Sequence, residues 1–417
     1  MYTIENRAIP SVIDGFKPVH RKLVYAMINV HGGKKTKCND LGSISSLNYH
    51  HGEASAMEAV KTLGAPWNNN CPVFKGYGNF GSRLIQEAAA PRYIFASLSP
   101  EFKKYFIDEE VAPVSLDPEN PEPAHYLPTL PWVLVNGIEG IAVGFATKIL
   151  PRSIKTLTTE VLLCLKNPTL YLASDKPVKP TFPEFRGEVS QGEEPNQWVT
   201  TGIIQAAPKN TYKISELPIG YDRAGYIEML HGLVDTDKIQ DFDDDCSEQG
   251  FGFTVKVTKA QKDKIDIDPI KYFKLAKPRT ENITTIGVDG KLKIFSSPAQ
   301  LIHYFVEYRL QKFEQKLAHE KTNLDSDVTE MKGKIKFINA VIAGKIDFRK
   351  TSQASLLEYI TDNISTKEWA KNFINIPIYN CTMDYVEKLK NKILDAEAAL
   401  LALKSETPMT RYLGVLK

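Results

Sequence analysis

Disulfide chemistry has little to work with in this sequence. Its 417 residues hold five cysteines, an odd number, spread over Cys38, Cys71, Cys164, Cys246 and Cys381 with no CxxC pair. That spacing excludes a disulfide framework and a structural zinc site and suits a reducing compartment. No apolar run reaches the roughly 18 residues of a membrane span, and the opening MYTIENRAIP has no leader-like apolar core. The expectation is a soluble intracellular protein. The GxxxxGK[ST] phosphate loop is missing, so ATP binding through that motif is excluded. Net charge is scarce too: 52 Lys and Arg against 50 Asp and Glu leave +2, which as an average points to no acidic or nucleic-acid partner.

What is there is ordinary globular material, 42% hydrophobic and 24% charged, long enough for about two to four domains. The charge is unevenly placed. Up to Lys104 there are thirteen basic and seven acidic residues, a surplus of six, so the remainder carries −4. Four of the eight histidines (His20, His31, His50 and His51) lie in the same basic quarter. Leu23, Ala26, Met27 and Val30 give it a helical apolar face.

Pro113, Pro118, Pro121 and Pro123 interrupt any helix or central strand, and a domain boundary is expected there. The next region reads as mixed α and β. Phe251 to Val257 alternates like a strand, and Ile283 to Phe295 reads as a hairpin turning at Asp289-Gly290. The acidic cluster Asp241, Asp243, Asp244, Asp245 and Glu248 is expected to be a solvated loop rather than a metal site. Beyond it the chain turns helical. Val306, Leu310, Phe313 and Leu317 form one seam, which resumes in a shifted register at Val328, Met331, Ile335, Ile338 and Ile342. A second seam runs through Val386, Leu389, Ile393, Ala396, Leu400 and Leu403. Two such helices suit an antiparallel arm with a small tip, an ordinary helical bundle being the alternative.

The basic quarter holds the chemistry. Gly76-Tyr77-Gly78-Asn79-Phe80-Gly81 matches GxGxxG, but no β-branched strand leads into it and no βαβ unit follows. A glycine-rich loop is expected there, not the dinucleotide turn of an oxidoreductase. Next comes Pro91-Arg92-Tyr93. A phenol has a pKa near 10 and becomes a nucleophile where cations favour its anion. Arg92 is such a cation, and on a phosphodiester it would also offset charge on the non-bridging oxygens. The plain alternative for Tyr93 is a half-buried core aromatic.

Six ordered motifs carry a resemblance. They are Arg7-Ala8-Ile9-Pro10, Asp14-Gly15-Phe16-Lys17-Pro18-Val19-His20-Arg21, Tyr49-His50-His51-Gly52-Glu53, Gly78-Asn79-Phe80-Gly81-Ser82, Pro91-Arg92-Tyr93, and Asn136-Gly137 leading to Gly140-Ile141-Ala142-Val143-Gly144. The chain resembles type IIA DNA topoisomerases over essentially its whole length. The DNA-cleaving medium subunits of T-even-phage enzymes are nearest, and the A subunits of gyrase and topoisomerase IV are more distant. The resemblance implies an α+β multidomain fold: a winged-helix DNA-binding domain over residues 1–117, a mixed tower over 118–296, and a coiled-coil arm with a C-gate over 297–417.

It further implies that Tyr93 attacks a DNA phosphate and stays on the 5′ end of the break, with Arg92 at the scissile phosphate. Arg7, Lys17 and His51 would line the cleavage site. His20, Arg21 and Lys22 would face DNA. Ile141 would wedge between base pairs, where composition alone favours a β-branched residue in a buried strand. The sequence has no acidic motif of the Toprim kind, so Mg²⁺ and ATP are expected on a partner ATPase/Toprim subunit. Double-stranded DNA, a homodimer through the C-gate and that subunit are the expected partners. The expected setting is the cytoplasm, the host's if the gene is a phage's. Without a gyrase-type β-propeller after the arm, relaxation and decatenation are expected. The competing class is a non-catalytic winged-helix protein that bends DNA.

Overall fold

The computed structural model describes residues 8–45, 52–115, 119–142, 144–174, 176–346, 351–364 and 367–417. The basic quarter opens with helix α1 (Pro18–Asn29), which starts on a proline whose missing N–H costs nothing at that position. It buries Val19, Leu23, Val24, Ala26 and Met27 along one face. Strand β1 (Thr36–Lys37), α2 (Cys38–Ser45) and α3 (Glu53–Gly64) come next, then β2 (Phe74–Tyr77), β3 (Phe95–Leu98) and α4 (Pro100–Tyr105). The three strands form an antiparallel sheet in the order β1-β3-β2. Its register pairs Phe95 with both Lys37 and Tyr77.

An aromatic cluster joins this quarter to the adjoining segment. Phe16 stacks on Phe106 at 5.8 Å, Phe106 on Phe102 at 4.1 Å, and Trp132 meets Phe106 edge-on at 4.8 Å. Trp132 starts α5 (Trp132–Asn136), which feeds the two-stranded hairpin β4 (Ile138–Ala142) and β5 (Phe145–Ile149). Helices α6 (Ile154–Lys166) and α7 (Pro168–Ala173) come after it.

The middle region holds two antiparallel sheets. Strands β6 (Glu188–Gln191), β7 (Gln197–Thr201), β8 (Ile203–Ala207) and β9 (Thr211–Glu216) lead to α8 (Arg223–Asp235), β10 (Asp241–Asp244) and β11 (Phe253–Lys256). After α9 (Lys259–Ile265) and α10 (Pro269–Tyr272), β12 (Ala276–Thr280) closes the order β12-β7-β6 beside the four-stranded sheet β10-β11-β9-β8. Tyr212, Ile214, Tyr226, Leu230, Phe253, Val255 and Phe273 form the core between that four-stranded sheet and its helices. The expected hairpin is present as β13 (Ile283–Ile286) and β14 (Leu292–Phe295), with Gly290 at φ 73° in the turn.

The acidic cluster is solvated as expected but is only partly a loop. Asp241–Asp244 form the edge strand β10 through the ladder with β11, whereas Asp245 and Glu248 lie in the loop beyond it. Lys256 reaches Asp243 at 2.7 Å, and the Arg223 Nε donates to Asp244 at 2.7 Å.

The chain divides into two compact units, one up to Arg309 and one over Leu310–Val415. Helix α11 (Pro298–Ile342) is continuous through both, so the register shift near Asn323–Asp325 is absorbed inside a single helix. Then come α12 (Gln353–Asn363), α13 (Lys367–Ile374), α14 (Met383–Ser405) and α15 (Pro408–Val415). Within the second unit Glu320 meets Arg411, and Lys332 meets Glu397 at 2.7 Å, so α14 and α15 run back along α11. Phe337, Ile338, Leu356, Ile360, Phe373, Val386 and Leu389 close a small core at its far end. Among the described residues no helix is long and apolar enough to cross a membrane.

Candidate active site

Tyr93 sits in the turn immediately before the central strand β3. Its N–H donates to the Ala90 carbonyl at 2.9 Å. The first-turn amides of α2 hold the same segment, since Cys38 N–H donates to the Ile94 carbonyl at 3.1 Å and Asn39 N–H to that of Pro91 at 3.3 Å. Ile94, the next residue, is fully buried as an anchor, whereas Tyr93 is 68% exposed. The core-aromatic alternative is thereby excluded. The Arg92 guanidinium lies 4.8 Å from the centre of the Tyr93 ring, within cation–π range. Lys35 stands 4.7 Å over Tyr77 and 5.0 Å over Phe95, which adds positive charge along this sheet.

The hairpin β4–β5 presents Ile141 to solvent at 88% exposure. A buried strand residue, which composition favoured, is excluded here as well. Burying that much β-branched surface would release roughly 2 kcal/mol, a gain the folded chain leaves unused at this position. Lys17 is tied to the same strand, its Nζ donating to the Glu139 carbonyl at 2.9 Å. Burial pushes the Lys17 ammonium below the usual lysine range.

The structure corrects two of the residues expected to face DNA. His20 is buried at 9% exposure, and its Nδ1 accepts from the Lys17 N–H at 3.4 Å across the first turn of α1. Burial, reinforced by the nearby charges of Lys17 and Arg21, drives its pKa down to about 3, so the ring is neutral. Lys22 is also interior, paired with Glu122 at 2.8 Å and donating to Asn120 at 2.5 Å. Arg21 is partly exposed and engaged by Asp14 at 3.3 Å and the Phe16 carbonyl at 3.0 Å. Arg7 and His51 lie outside the described residues.

The His20 environment makes stability acid-sensitive in a definite direction. Its folded pKa is depressed below 6.5, so between pH 6.5 and about 3 the unfolded chain binds the extra proton and stability falls as pH falls. The expected loss from this one group is up to about 3 kcal/mol by pH 4. His20→Gln keeps an acceptor for the Lys17 N–H but does not titrate. Urea unfolding between pH 7 and 4 should give this variant a flatter acid limb than the parent.

The DNA gyrase/topoisomerase IV A-subunit family model matches residues 7–414. The chain belongs to that family. It is 37% identical over 398 residues to the DNA topoisomerase medium subunit of Enterobacteria phage T4, covering 93% of this chain and 88% of that protein. It is 27% identical over 429 residues to the mitochondrial DNA topoisomerase 2 of Dictyostelium discoideum, spanning 97% of this chain but only 33% of that one. The crystal structure of the Plasmodium falciparum topoisomerase II DNA-binding, cleavage and re-ligation domain superposes with a TM-score of 0.86 at 25% identity. That match covers all of this chain and 61% of the solved one. Membership makes this a type II topoisomerase subunit with a mixed α/β fold, and favours the catalytic reading over the architectural one.

In this topoisomerase subunit the GxGxxG segment serves packing. A Cβ on Gly76 would come within 2.6 Å of the Phe80 ring, and the Phe80 carbonyl accepts from the Trp67 indole at 3.0 Å. The glycine makes room for an aromatic side chain, not for a pyrophosphate. Among the described residues no three carboxylate, imidazole or thiol groups converge to hold a metal ion. Two residues that hold the Ile141 hairpin went unseen in the sequence: Glu139, whose carbonyl accepts from Lys17, and Asn282, which pairs with Lys148; neither carries a motif signal.

Proposed function

We propose that this chain is the DNA-breaking and rejoining subunit of an ATP-dependent type II topoisomerase, with Tyr93 as its nucleophile. The exposed phenol under the Arg92 guanidinium, fixed at the mouth of β3, is the observation that carries this reading. The Tyr93 oxygen attacks the phosphorus, and the bond to the 3′ oxygen breaks. The products are a 5′-phosphotyrosyl diester and a free 3′ hydroxyl, with the phenolic proton passing in net to the leaving oxygen. One phosphodiester replaces another, so the reverse reaction reseals the strand without ATP. Arg92, with Lys17, Arg7 and His51, supplies the positive charge that offsets the transition state. Arg21 contributes a backbone contact that fixes register without reading bases.

In the same reading α1 to α3 with the sheet β1-β3-β2 form a winged helix within residues 1–117, 118–296 form the tower, and 297–417 form the coiled-coil arm and C-gate. Ile141 wedges into the duplex, an unstacking that costs a few kcal/mol and is offset by contacts along the bent DNA. Two copies make a C2 dimer, each tyrosine cutting one strand. A partner ATPase/Toprim subunit, in a heterotetramer or larger assembly, holds the Mg²⁺ and ATP, and the products are relaxed and decatenated DNA. The host cytoplasm is the setting if the gene belongs to a phage. The test is incubation with supercoiled DNA, Mg²⁺, ATP and the ATPase subunit, quenched with detergent. Linear DNA bearing attached protein is expected, and bound but uncut DNA would return the reading to an architectural protein.

A further inference from the structure

A two-stranded hairpin standing alone is marginal in water, yet a wedge must be stiffer than the base stack it opens. The β4–β5 hairpin gains support from both sides. On the β4 side, Gly140 lies so close to the N-terminal segment that a Cβ there would clash with the Ala8 carbonyl oxygen, and Lys17 holds the Glu139 carbonyl. On the β5 side a single residue, Asn282, acts as a third strand. Its N–H donates to the Lys148 carbonyl and its carbonyl accepts from the Lys148 N–H, both at 2.9 Å. Its side-chain Nδ2 then reaches two residues further toward the tip and donates to the Ala146 carbonyl at 2.8 Å. Ala146 is the residue paired with Ile141 across the ladder. Thr284 Oγ1 donates to Asn282 Oδ1 at 2.9 Å, which fixes which way the amide points.

We propose that Asn282 is a positioning residue for DNA bending: its amide braces the strand opposite Ile141, so that inserting the side chain deforms the duplex and not the hairpin. The inference rests on reading Ile141 as the wedge. Asn282 is exposed, and loss of one exposed hydrogen bond is too small an effect to unfold the chain. Its consequence is local stiffness.

The full chain carrying Asn282→Ala or Asn282→Asp, both lacking the Nδ2 donor, is compared with the parent and with Ile141→Ala. Hydrogen exchange in the free protein should be roughly fivefold faster for the β4–β5 amides in both Asn282 variants, with the thermal midpoint unmoved. On an end-labelled duplex, energy transfer should report a several-fold smaller bent fraction for both while Kd stays within about twofold, since phosphate contacts dominate affinity. Unchanged exchange at the hairpin overturns the proposal. So does full bending by the Asn282 variants when Ile141→Ala has lost it, which leaves the wedge standing. If Ile141→Ala bends DNA as the parent does, or the parent leaves it straight, the wedge reading itself fails and the inference goes with it.

Discussion

Tyr93→Phe should lose the covalent protein–DNA complex by a factor on the order of a thousand or more, because the phenolic oxygen is the atom that would be joined to phosphorus. The Arg92 guanidinium over its ring is a cation and cannot replace it as a nucleophile. Folding should be untouched, since substitutions at a side chain 68% exposed shift stability by about 0.5 kcal/mol at most. Duplex affinity should also hold within about twofold, because the basic residues and not the phenol supply it. Detergent-trapped adducts measured beside a binding isotherm separate the two properties. An adduct surviving in the variant at the parent's yield would remove Tyr93 from the chemistry, and a parallel loss of binding would make its role structural.

Glu281→Ala should be the most destabilising change near the site. Glu281 and Arg152 are both almost fully buried and joined through two bonds of 2.8 Å, while Glu281 also accepts the Leu150 N–H at 2.9 Å. Leu150 directly follows β5 and Glu281 directly precedes Asn282, so this pair fixes the base of the Ile141 hairpin from inside. Truncating one partner leaves an uncompensated buried guanidinium, at a cost of about 3–5 kcal/mol. The desolvation argument gives a second expectation: the double variant Arg152→Met/Glu281→Leu should be less destabilised than Glu281→Ala alone, because no charge is stranded. Urea midpoints of the parent and both variants test this. A single variant within about 1 kcal/mol of the parent, or a double variant worse than the single, would contradict it.

The parts of the molecule legible in the sequence were those set by local chemistry. The Asp289-Gly290 turn located the hairpin β13–β14, the alternation from Phe251 located β11, and Pro91-Arg92-Tyr93 located the exposed phenol. What escaped depends on residues far apart in the chain. Nothing near Lys22 announces that Glu122 and Asn120 will close over it, so a basic residue beside Arg21 read as surface. His20 reads as a phosphate contact until Phe16 packs edge-on against its ring at 6.2 Å and burial neutralises it. Ile141 has the opposite history: its residue type argues for a core, and only a hairpin projecting beyond its third-strand contact leaves it outside. Arg152 and Glu281, 129 residues apart, carry no shared pattern at all.

The charge asymmetry also takes on a narrower meaning. Of the basic residues in the first quarter, Lys22 is spent on an internal pair and Arg21 on Asp14, and Arg83 is bound to Glu216 at 2.7 Å. Among the described residues, Lys35 and Lys75 stand over the Tyr77 ring and Arg92 over the Tyr93 ring, so three of the remaining cations lie beside the sheet that follows Tyr93. Surplus charge in the sequence therefore overstates the positive charge that is free of an internal partner.

Mass mapping of the nucleotide-bearing peptide tests the central claim most directly. The detergent-trapped complex formed with the ATPase subunit and Mg²⁺ is digested with protease and nuclease, and the modified residue is sequenced. The account predicts one modified residue, Tyr93, joined to the 5′ end of the broken strand. A nucleotide on any other residue, or a link to a 3′ end, would contradict it.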